Sequence, residues 1–282
     1  MPTELQERAT GFLSANPAFT RGEFAAAVGL PEGSATIGRL LKRETDAGRL
    51  QRLNGGVLAA GPNSKLPGPF AVPDYVYASK LRPDGVLGYH TALELYGISY
   101  TVRYNTVHLI STGRPRTVAL PCRRCRIVRP HRTLIAAGET DFLTVRMERQ
   151  GVSLKVTAFE RTLVDVLHRA DRAGGRDEVI ECLNVAPYLV DEFDCSKVAD
   201  YVELLGISSV AGVVGWWLER WQTKLDVSLL TLERLHDMLP GWKPYGLRAR
   251  PGHSALNRHW RVYLPPDAID TSFEGTDPEM EF

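Results

Sequence analysis

The sequence lacks the features of a membrane or secreted protein. It has no run that approaches the roughly 18 consecutive apolar residues of a membrane span. Its first ten residues, MPTELQERAT, have neither the basic nor the apolar region of a secretory leader. Four cysteines in 282 residues are too few for a disulfide scaffold. We therefore expect a cytoplasmic protein with reduced thiols and no contact with a membrane.

Catalytic and metal-binding motifs are also lacking. There is no Walker phosphate-binding loop, no Rossmann glycine fingerprint and no HExxH pair. Cys122 and Cys125 have the spacing of half a zinc site, but the second half is missing. We predict two free thiols, whose pKa the neighbouring arginines would lower. The sequence thus predicts no catalytic residue, no cofactor, no metal and no enzymatic activity.

The composition is that of a globular protein with a small and a larger domain. Hydrophobic residues make up 44% and charged residues 24% of the 282 residues, and the formal net charge is only +1. A proline- and glycine-rich stretch, residues 63–70, is the predicted linker. The chain is thereby divided into a first domain (1–62), this linker, a larger domain (71–265) and an acidic tail predicted to be disordered (266–282).

The first domain has the pattern of a winged helix-turn-helix. Apolar residues at helical spacing predict a first helix that ends at Asn16-Pro17. Thr20 and Glu23 form a capping pair at the start of a second helix, and Ser34 is a suitable cap for a third. Two short strands around Asn54-Gly55-Gly56 predict a hairpin with a primed turn, the wing. Three helices followed by a hairpin are typical of this DNA-binding fold.

The third helix and the hairpin carry the residues that we expect to contact double-stranded DNA. The helix is small and polar at its start and basic further on, as suits entry into the major groove. Arginines of the hairpin would lie near phosphates of the next minor groove. The domain as a whole is nearly neutral, so we expect two copies on paired half-sites. The predicted DNA-binding residues are Ser34, Ala35, Thr36, Arg39, Lys42, Arg43, Arg49 and Arg52.

The larger domain alternates helices and strands, which predicts an α/β (α+β) fold overall, with a winged helix followed by a mixed α/β effector domain. Leu230, Leu232 and Leu235 are predicted to line a buried helix face. The main predicted elements are a helix at 88–96, strands at 106–110, 116–120 and 153–156, a helix opened by the capping pair Thr157 and Glu160, a helix at 177–183, a long helical stretch around 210–221 and a strand at 260–264.

An interval without acidic residues is the strongest charge bias in the chain. No Asp or Glu occurs between Glu94 and Glu139. If the arginines of this interval share a face, they form a patch for phosphate or for a nucleotide-using partner. The alternative is that they alternate along strands and form surface ion pairs with acidic residues from elsewhere. The candidate patch consists of Arg114, Arg116, Arg123, Arg124, Arg126, Arg129 and Arg132.

Two further segments, together with the predicted winged helix, resemble a known family. They are residues 88–97, GYHTALELYG, and residues 157–165, TAFERTLVD, supported by Gly174-Gly175. The chain resembles the AbiEi-type antitoxins of bacterial type IV toxin–antitoxin systems over roughly residues 5–265. The resemblance implies an antitoxin that represses its own operon by binding inverted repeats in the promoter. It also implies that the larger domain counters a nucleotidyltransferase-type toxin, and leaves open whether the two proteins touch.

Two alternatives remain open at the level of sequence. One is a solitary regulator that responds to a ligand, which predicts a pocket in the effector domain. The other is a DNA-targeted, nuclease-like enzyme. Its candidate catalytic residues are the acids Asp141 and Glu148 and the lysine Lys155, although their spacing is loose. Glu160, Arg161 and Asp165 have no nucleophile or metal partner at a suitable spacing, and we predict that they are structural.

Overall fold

The structure is a computed structural model of the chain. It describes residues 4–61, 72–101, 104–149, 151–190 and 193–269, which form a mixed α+β fold. The chain divides into two compact units, Met1–Leu95 with Val102–Ala158 and Tyr96–Thr101 with Phe159–Phe282. The linker predicted at 63–70 lies outside the described residues, so that domain boundary stays a prediction.

The described residues 4–60 of the first unit contain three α-helices and three short strands. These elements are α1 (Glu4–Ala15), β1 (Ala18–Thr20), α2 (Arg21–Val28), α3 (Ala35–Asp46), β2 (Leu50–Arg52) and β3 (Val57–Ala60). The strands form one antiparallel sheet in the order β1-β3-β2. Both hydrogen bonds of the capping box between Thr20 and Glu23 are present. The sequence predicted every one of these elements except β1.

An aromatic core holds these helices against the small sheet. Phe12 of α1 meets Phe19 and Phe24 edge-on, with ring centroids 5.2 and 5.7 Å away. Ile37 and Leu41, one turn apart on α3, are buried in the same core. A helix turns by about 100° per residue, so the residues two and five positions after Ile37 point away from this core. The burial of one face of α3 therefore leaves its other face to solvent.

The rest of the first unit is built on a six-stranded mixed sheet in the order β6-β7-β5-β4-β9-β8. Strand β7 runs parallel to β5 and antiparallel to β6, and β9 runs parallel to β4 and antiparallel to β8. The elements are α4 (Asp74–Ser79), β4 (Val86–Leu87), α5 (His90–Tyr96), β5 (Thr106–Ile110), β6 (Arg116–Ala119), β7 (Arg124–Val128), α6 (Arg132–Ala137), β8 (Thr144–Arg149) and β9 (Val152–Thr157).

The second unit is mainly helical. Its elements are α7 (Phe159–His168), α8 (Arg176–Leu189), α9 (Cys195–Leu205), α10 (Ser208–Arg220), α11 (Leu229–Asp237), β10 (Ala255–Asn257), β11 (Val262–Leu264) and α12 (Pro266–Ile269). Trp260 is fully buried and donates its indole N–H to Glu219 Oε2 at 2.7 Å. A Cβ on Gly215 would lie 2.0 Å from the Trp260 ring, so only glycine lets α10 approach this ring.

Several sequence predictions are wrong in detail. Leu230 is exposed, because the buried stripe of α11 runs through Thr231, Leu232 and Leu235. Thr157 is the last residue of β9, and α7 begins two residues later. Residues 266–269 are helical rather than disordered, and residues 270–282 lie outside the described part of the chain.

The hairpin turn also differs from its prediction. Leu53 N–H donates to the carbonyl of Val57 at 2.8 Å, so the turn is longer than a two-residue primed turn. It contains a short 3₁₀ segment, Asn54–Gly56, in which Gly55 and Gly56 have φ of 75° and 81°. None of the helices in the described ranges is long and apolar enough to cross a membrane.

Candidate nucleic-acid interface

The start of α3 is fixed by a cap and by an arginine from α2. Ser34 Oγ accepts a hydrogen bond from the Thr36 backbone N–H at 3.2 Å. Arg21 donates to the carbonyl oxygens of Glu32 and Ser34, at 2.8 and 3.3 Å. Ser34 and Thr36 are half-buried and Ala35 is exposed. The N-terminal end of α3, which was predicted to enter the major groove, therefore carries small and partly exposed side chains. Arg21 positions this end of the helix, a role that the sequence did not indicate.

Arg39 and Lys42 lie on the solvent face of α3. Both are exposed, and neither forms an ion pair with a residue that the structure describes. Among the described residues, Arg39 Nη2 donates only to Thr36 Oγ1, at 3.2 Å and one turn earlier. A cation without a carboxylate partner keeps its full attraction for phosphate. These two side chains are therefore the available charges of α3.

Arg43 and Arg49 form a clamp on Glu44. Arg43 Nη2 lies 3.0 Å from Glu44 Oε1, and Arg49 Nε lies 2.6 Å from Glu44 Oε2. The hydrogen bond from Arg49 is the main cause that lowers the pKa of the buried Glu44 carboxyl, against the opposing effect of burial. This clamp ties the end of α3 to the residue before β2. Both arginines were predicted to bind DNA, and each is already engaged by Glu44.

The turn of the hairpin packs against the larger sheet of the same unit. Tyr77 Oη donates to the Asn54 carbonyl at 3.0 Å. A Cβ on Gly55 would lie 2.6 Å from Leu81 Cδ2 and 3.6 Å from Arg116 Nη2. Arg52, the last residue of β2, is exposed and forms no ion pair with any described residue. The turn of the hairpin therefore lies close to Arg116 on the edge strand β6, and β2 leads into this turn with the exposed Arg52.

Arg123 does not belong to an exposed patch, contrary to its prediction. Its side chain is 16% exposed and forms ion pairs with Asp74 at 3.1 Å and Glu94 at 2.9 Å. Burial alone would lower the pKa of Arg123, but hydrogen bonds with Tyr75 and Glu94 raise it. Burial and the bond to Glu94 also raise the pKa of Tyr75 to about 12. Arg123 thus anchors a buried polar cluster between α4, α5 and the sheet.

The remaining arginines of the candidate patch lie on opposite faces of the sheet. Arg124 and Arg126, two residues apart on β7, share one exposed face. Arg116 is paired with Ile127, and directly opposite residues share a face, so Arg116 lies on the other face. The seven arginines therefore form no single patch.

Six of these seven arginines nevertheless carry available charge. None of them forms an ion pair with any residue in the described ranges, and all are exposed. They are Arg114, Arg116, Arg124, Arg126, Arg129 and Arg132. The alternative prediction, that they pair with acidic residues from elsewhere in the fold, is wrong for this group.

The cysteine pair is split between the surface and the interior. Cys122 is exposed, whereas Cys125 points into the core from β7. Burial raises the pKa of the Cys125 thiol to about 12, so the prediction of a lowered pKa is wrong for this residue. Within the described ranges, no three His, Cys, Asp or Glu side chains converge as metal ligands would.

The other titratable residues singled out from the sequence lie in two places. Lys155 on β9 forms an ion pair with Asp141, and Glu148 on β8 lies opposite Ser153 in the register of the two strands. In the second unit, Arg161 Nε lies 3.6 Å from Asp165, which also accepts from Tyr201 Oη at 2.9 Å. Burial raises the pKa of Asp165, and Arg161 opposes this shift. Arg161 and Asp165 thus belong to a buried network between α7 and α9.

Comparison with known proteins supports the fold class. No protein-family model and no curated protein matches the chain. Among solved structures, the fold is similar to that of the "Crystal structure of RV2827C protein from Mycobacterium tuberculosis". The match covers 94% of this chain and 92% of that chain, with a TM-score of 0.53 and 14% sequence identity. At this identity the likeness concerns the fold alone.

Proposed function

We propose that the chain is a DNA-binding repressor whose first sixty residues form a winged helix-turn-helix domain with α3 as its recognition helix. The observation that carries this proposal is the exposed pair Arg39 and Lys42, on a helix whose opposite face is buried. The order of three helices and a hairpin is that of winged-helix DNA-binding domains. Such a protein works in the cytoplasm of a bacterium.

Different residues are the candidates for contacts with the bases and with the phosphates of DNA. Ala35 and Thr36, in the first turn of α3, approach base edges, because small side chains let the backbone enter the major groove. Arg39 and Lys42 contact base edges or phosphates further along the helix. Arg52 contacts the phosphates beside the hairpin. Arg43 and Arg49 support the geometry mainly through Glu44 and contribute less direct contact.

A gel shift on the gene's own promoter tests this role of α3. Arg39→Ala with Lys42→Ala should abolish the shift at physiological salt, because two exposed cations are lost from the proposed contact face. Arg258→Ala with Lys243→Ala is the matched control, since it removes two exposed cations from the second unit. Unchanged binding by the first double variant would remove α3 as the recognition helix.

We further propose that the chain is the antitoxin of a type IV toxin–antitoxin system. This part rests on the resemblance of residues 88–97 and 157–165 to AbiEi-type antitoxins. Its test is co-expression with the product of the adjacent reading frame, which should be a nucleotidyltransferase. Growth arrest by that product alone, relieved by this chain, would support the assignment. The absence of a toxic neighbouring product would favour a solitary regulator.

A metal-dependent DNA cleavage assay separates this proposal from the nuclease-like alternative. Lys155 already forms an ion pair with Asp141, so a phosphate group would have to compete with this carboxylate for the lysine. We therefore expect no cleavage by the purified chain. DNA cleavage by the wild type that is lost in Glu148→Ala would overturn the repressor proposal in favour of the nuclease-like enzyme.

A further inference from the structure

The second unit contains an open cleft to which the sequence analysis assigned no role. It consists of two hollows, about 440 and 490 Å³ in volume, which share Arg248. The first is lined in part by apolar side chains, including Val210, Val213 and Tyr245. The second is lined mostly by charged side chains, including Arg176, Asp177 and Arg250. Volumes of this size are typical of sites for small molecules.

Tyr245 forms an aromatic platform in the apolar hollow. Its ring stacks on Tyr263, with ring centroids 4.8 Å apart and an angle of 16° between the planes. Tyr245 is nevertheless 45% exposed and lines the hollow, so the residue is accessible to a planar ligand. Two backbone hydrogen bonds of 2.8 Å, Gly246 N–H to Tyr263 O and Tyr263 N–H to Pro244 O, hold this platform in place.

Arg248 projects into the cleft from a strained turn. Leu247 and Arg248 have φ of 48° and 56°, a region that favours glycine, and Ala249 N–H closes the turn on Gly246 O at 2.8 Å. Gly246 itself cannot be replaced, because a Cβ would lie 2.4 Å from Val213 Cγ2. Leu247 is buried while Arg248 is exposed. Left-handed residues other than glycine persist where the surroundings enforce them, often at ligand sites.

The charged hollow has an excess of available cations. Arg176 lines this hollow and forms an ion pair with Asp177 at 2.8 Å. Arg169 lines the apolar hollow and forms an ion pair with Asp171, also at 2.8 Å. Arg248 and Arg250 form no ion pair with any residue that the structure describes. Two available guanidinium groups therefore lie two residues apart in sequence, in the same cleft as the aromatic platform.

We propose that this cleft binds a nucleotide, with the base stacked on Tyr245 and the phosphates held by Arg248 and Arg250. A planar ring at one end and an anion at the other are the two chemical features that the lining offers. Arg248 lines both hollows and so lies between the base and the outer phosphate. This site shares no residue with the proposed DNA-binding surface, since its residues all belong to the second unit.

Calorimetric titration of the full chain with ADP, adenosine and inorganic pyrophosphate tests the proposal. ADP should bind with a Kd below about 1 mM, and roughly tenfold or more tightly than adenosine or pyrophosphate. Tyr245→Ala should weaken ADP binding and leave pyrophosphate binding unchanged. Arg250→Ala should weaken both by roughly tenfold or more, because it removes a charged hydrogen bond to phosphate. Arg258→Ala, an exposed arginine outside the cleft, should change neither.

Arg248→Gly separates binding from a merely structural role. Glycine relieves the positive φ, so the melting temperature should rise by about 2–4 °C while ADP affinity falls. The proposal is overturned if ADP does not saturate the wild-type chain. It is also overturned if Arg248→Gly keeps full ADP affinity, or if pyrophosphate binds as tightly as ADP and Tyr245→Ala has no effect, since the site would then accept any polyanion.

Discussion

Tyr77 donates a hydrogen bond from its hydroxyl group to the backbone carbonyl of Asn54, at 3.0 Å, across 23 residues of sequence. Tyr77 lies on α4 and Asn54 opens the turn of the hairpin. The bond ties a turn that sequence analysis treats as a free wing to the framework of the larger sheet. It follows that substitutions in the turn affect the stability of the first unit as well as any contact with DNA.

Gly55→Ala should lower the free energy of unfolding by about 2–3 kcal/mol. Alanine at φ 75° is strained by about 1 kcal/mol or more, and its Cβ would lie 2.6 Å from the buried Leu81. Gly56→Ala is the matched control, with φ of 81° and no atom within 4 Å of an added Cβ. Urea denaturation gives the free energy of unfolding of both variants, and the difference between them measures the clash with Leu81. Equal losses would mean that the contact with Leu81 contributes nothing.

Glu44→Gln should destabilise the first unit at neutral pH and much less in acid. The folded-state pKa of Glu44 lies below its ordinary value of 4.5, so its ionised form contributes stability above that pH. This contribution is lost as the pH falls below 4.5 and through the folded-state pKa. Denaturation of wild type and variant at about pH 7 and about pH 3 gives the comparison. A stability difference that does not shrink in acid would contradict the role of the ionised clamp.

Glu94→Gln should cost about 1–3 kcal/mol of stability, because it leaves the half-buried Arg123 with a weaker partner. Asp74 remains within 3.1 Å of Arg123 and limits the loss. Glu4→Gln is the control, since the pair of Glu4 with Arg8 is largely exposed and contributes little. Thermal unfolding of both variants measures the difference. If Glu94→Gln proved as harmless as the control, the ion pair of Glu94 with Arg123 would contribute nothing to stability.

Arg114→Ala with Arg116→Ala should weaken promoter binding and reduce its salt dependence. Arg116 lies next to the hairpin turn, so an approaching DNA backbone is within its reach. Each lost phosphate contact lowers the slope of log K against log salt by about 0.9. Arg124→Ala with Arg126→Ala removes the same charge from the opposite face of the sheet and should leave the slope unchanged. A reduced slope for Arg124→Ala with Arg126→Ala, and an unchanged slope for Arg114→Ala with Arg116→Ala, would mean that the sheet face with Arg124 and Arg126 contacts DNA.

Sequence patterns were sufficient to predict those features of the fold that depend on residues close together in the chain. The capping box at Thr20 and Glu23, the start of α3 at Ser34 and the end of α5 at Gly97 follow from local hydrogen bonds and backbone preferences. The buried stripe of α3 follows from its helical period. Strand β7 is absent from the predicted strands, although Arg124–Val128 alternates charged and apolar residues, and only the alternative interpretation of the arginines placed them along strands.

Tertiary structure decided which charges are available, because ion pairs and burial depend on residues that are distant in sequence. Arg123 looks like its neighbour Arg124, yet the approach of Asp74 and Glu94 buries one and leaves the other exposed. The cleft of the second unit could not be predicted, since it needs Tyr263 behind Tyr245 and a left-handed Arg248. The sequence alone determined the three helices of the first domain, the exposed face of α3 and the α+β class, whereas α4, α6, α9 and α12 were not predicted. Only the fold determined where the turn docks and which arginines face solvent, because these are properties of packing rather than of local pattern.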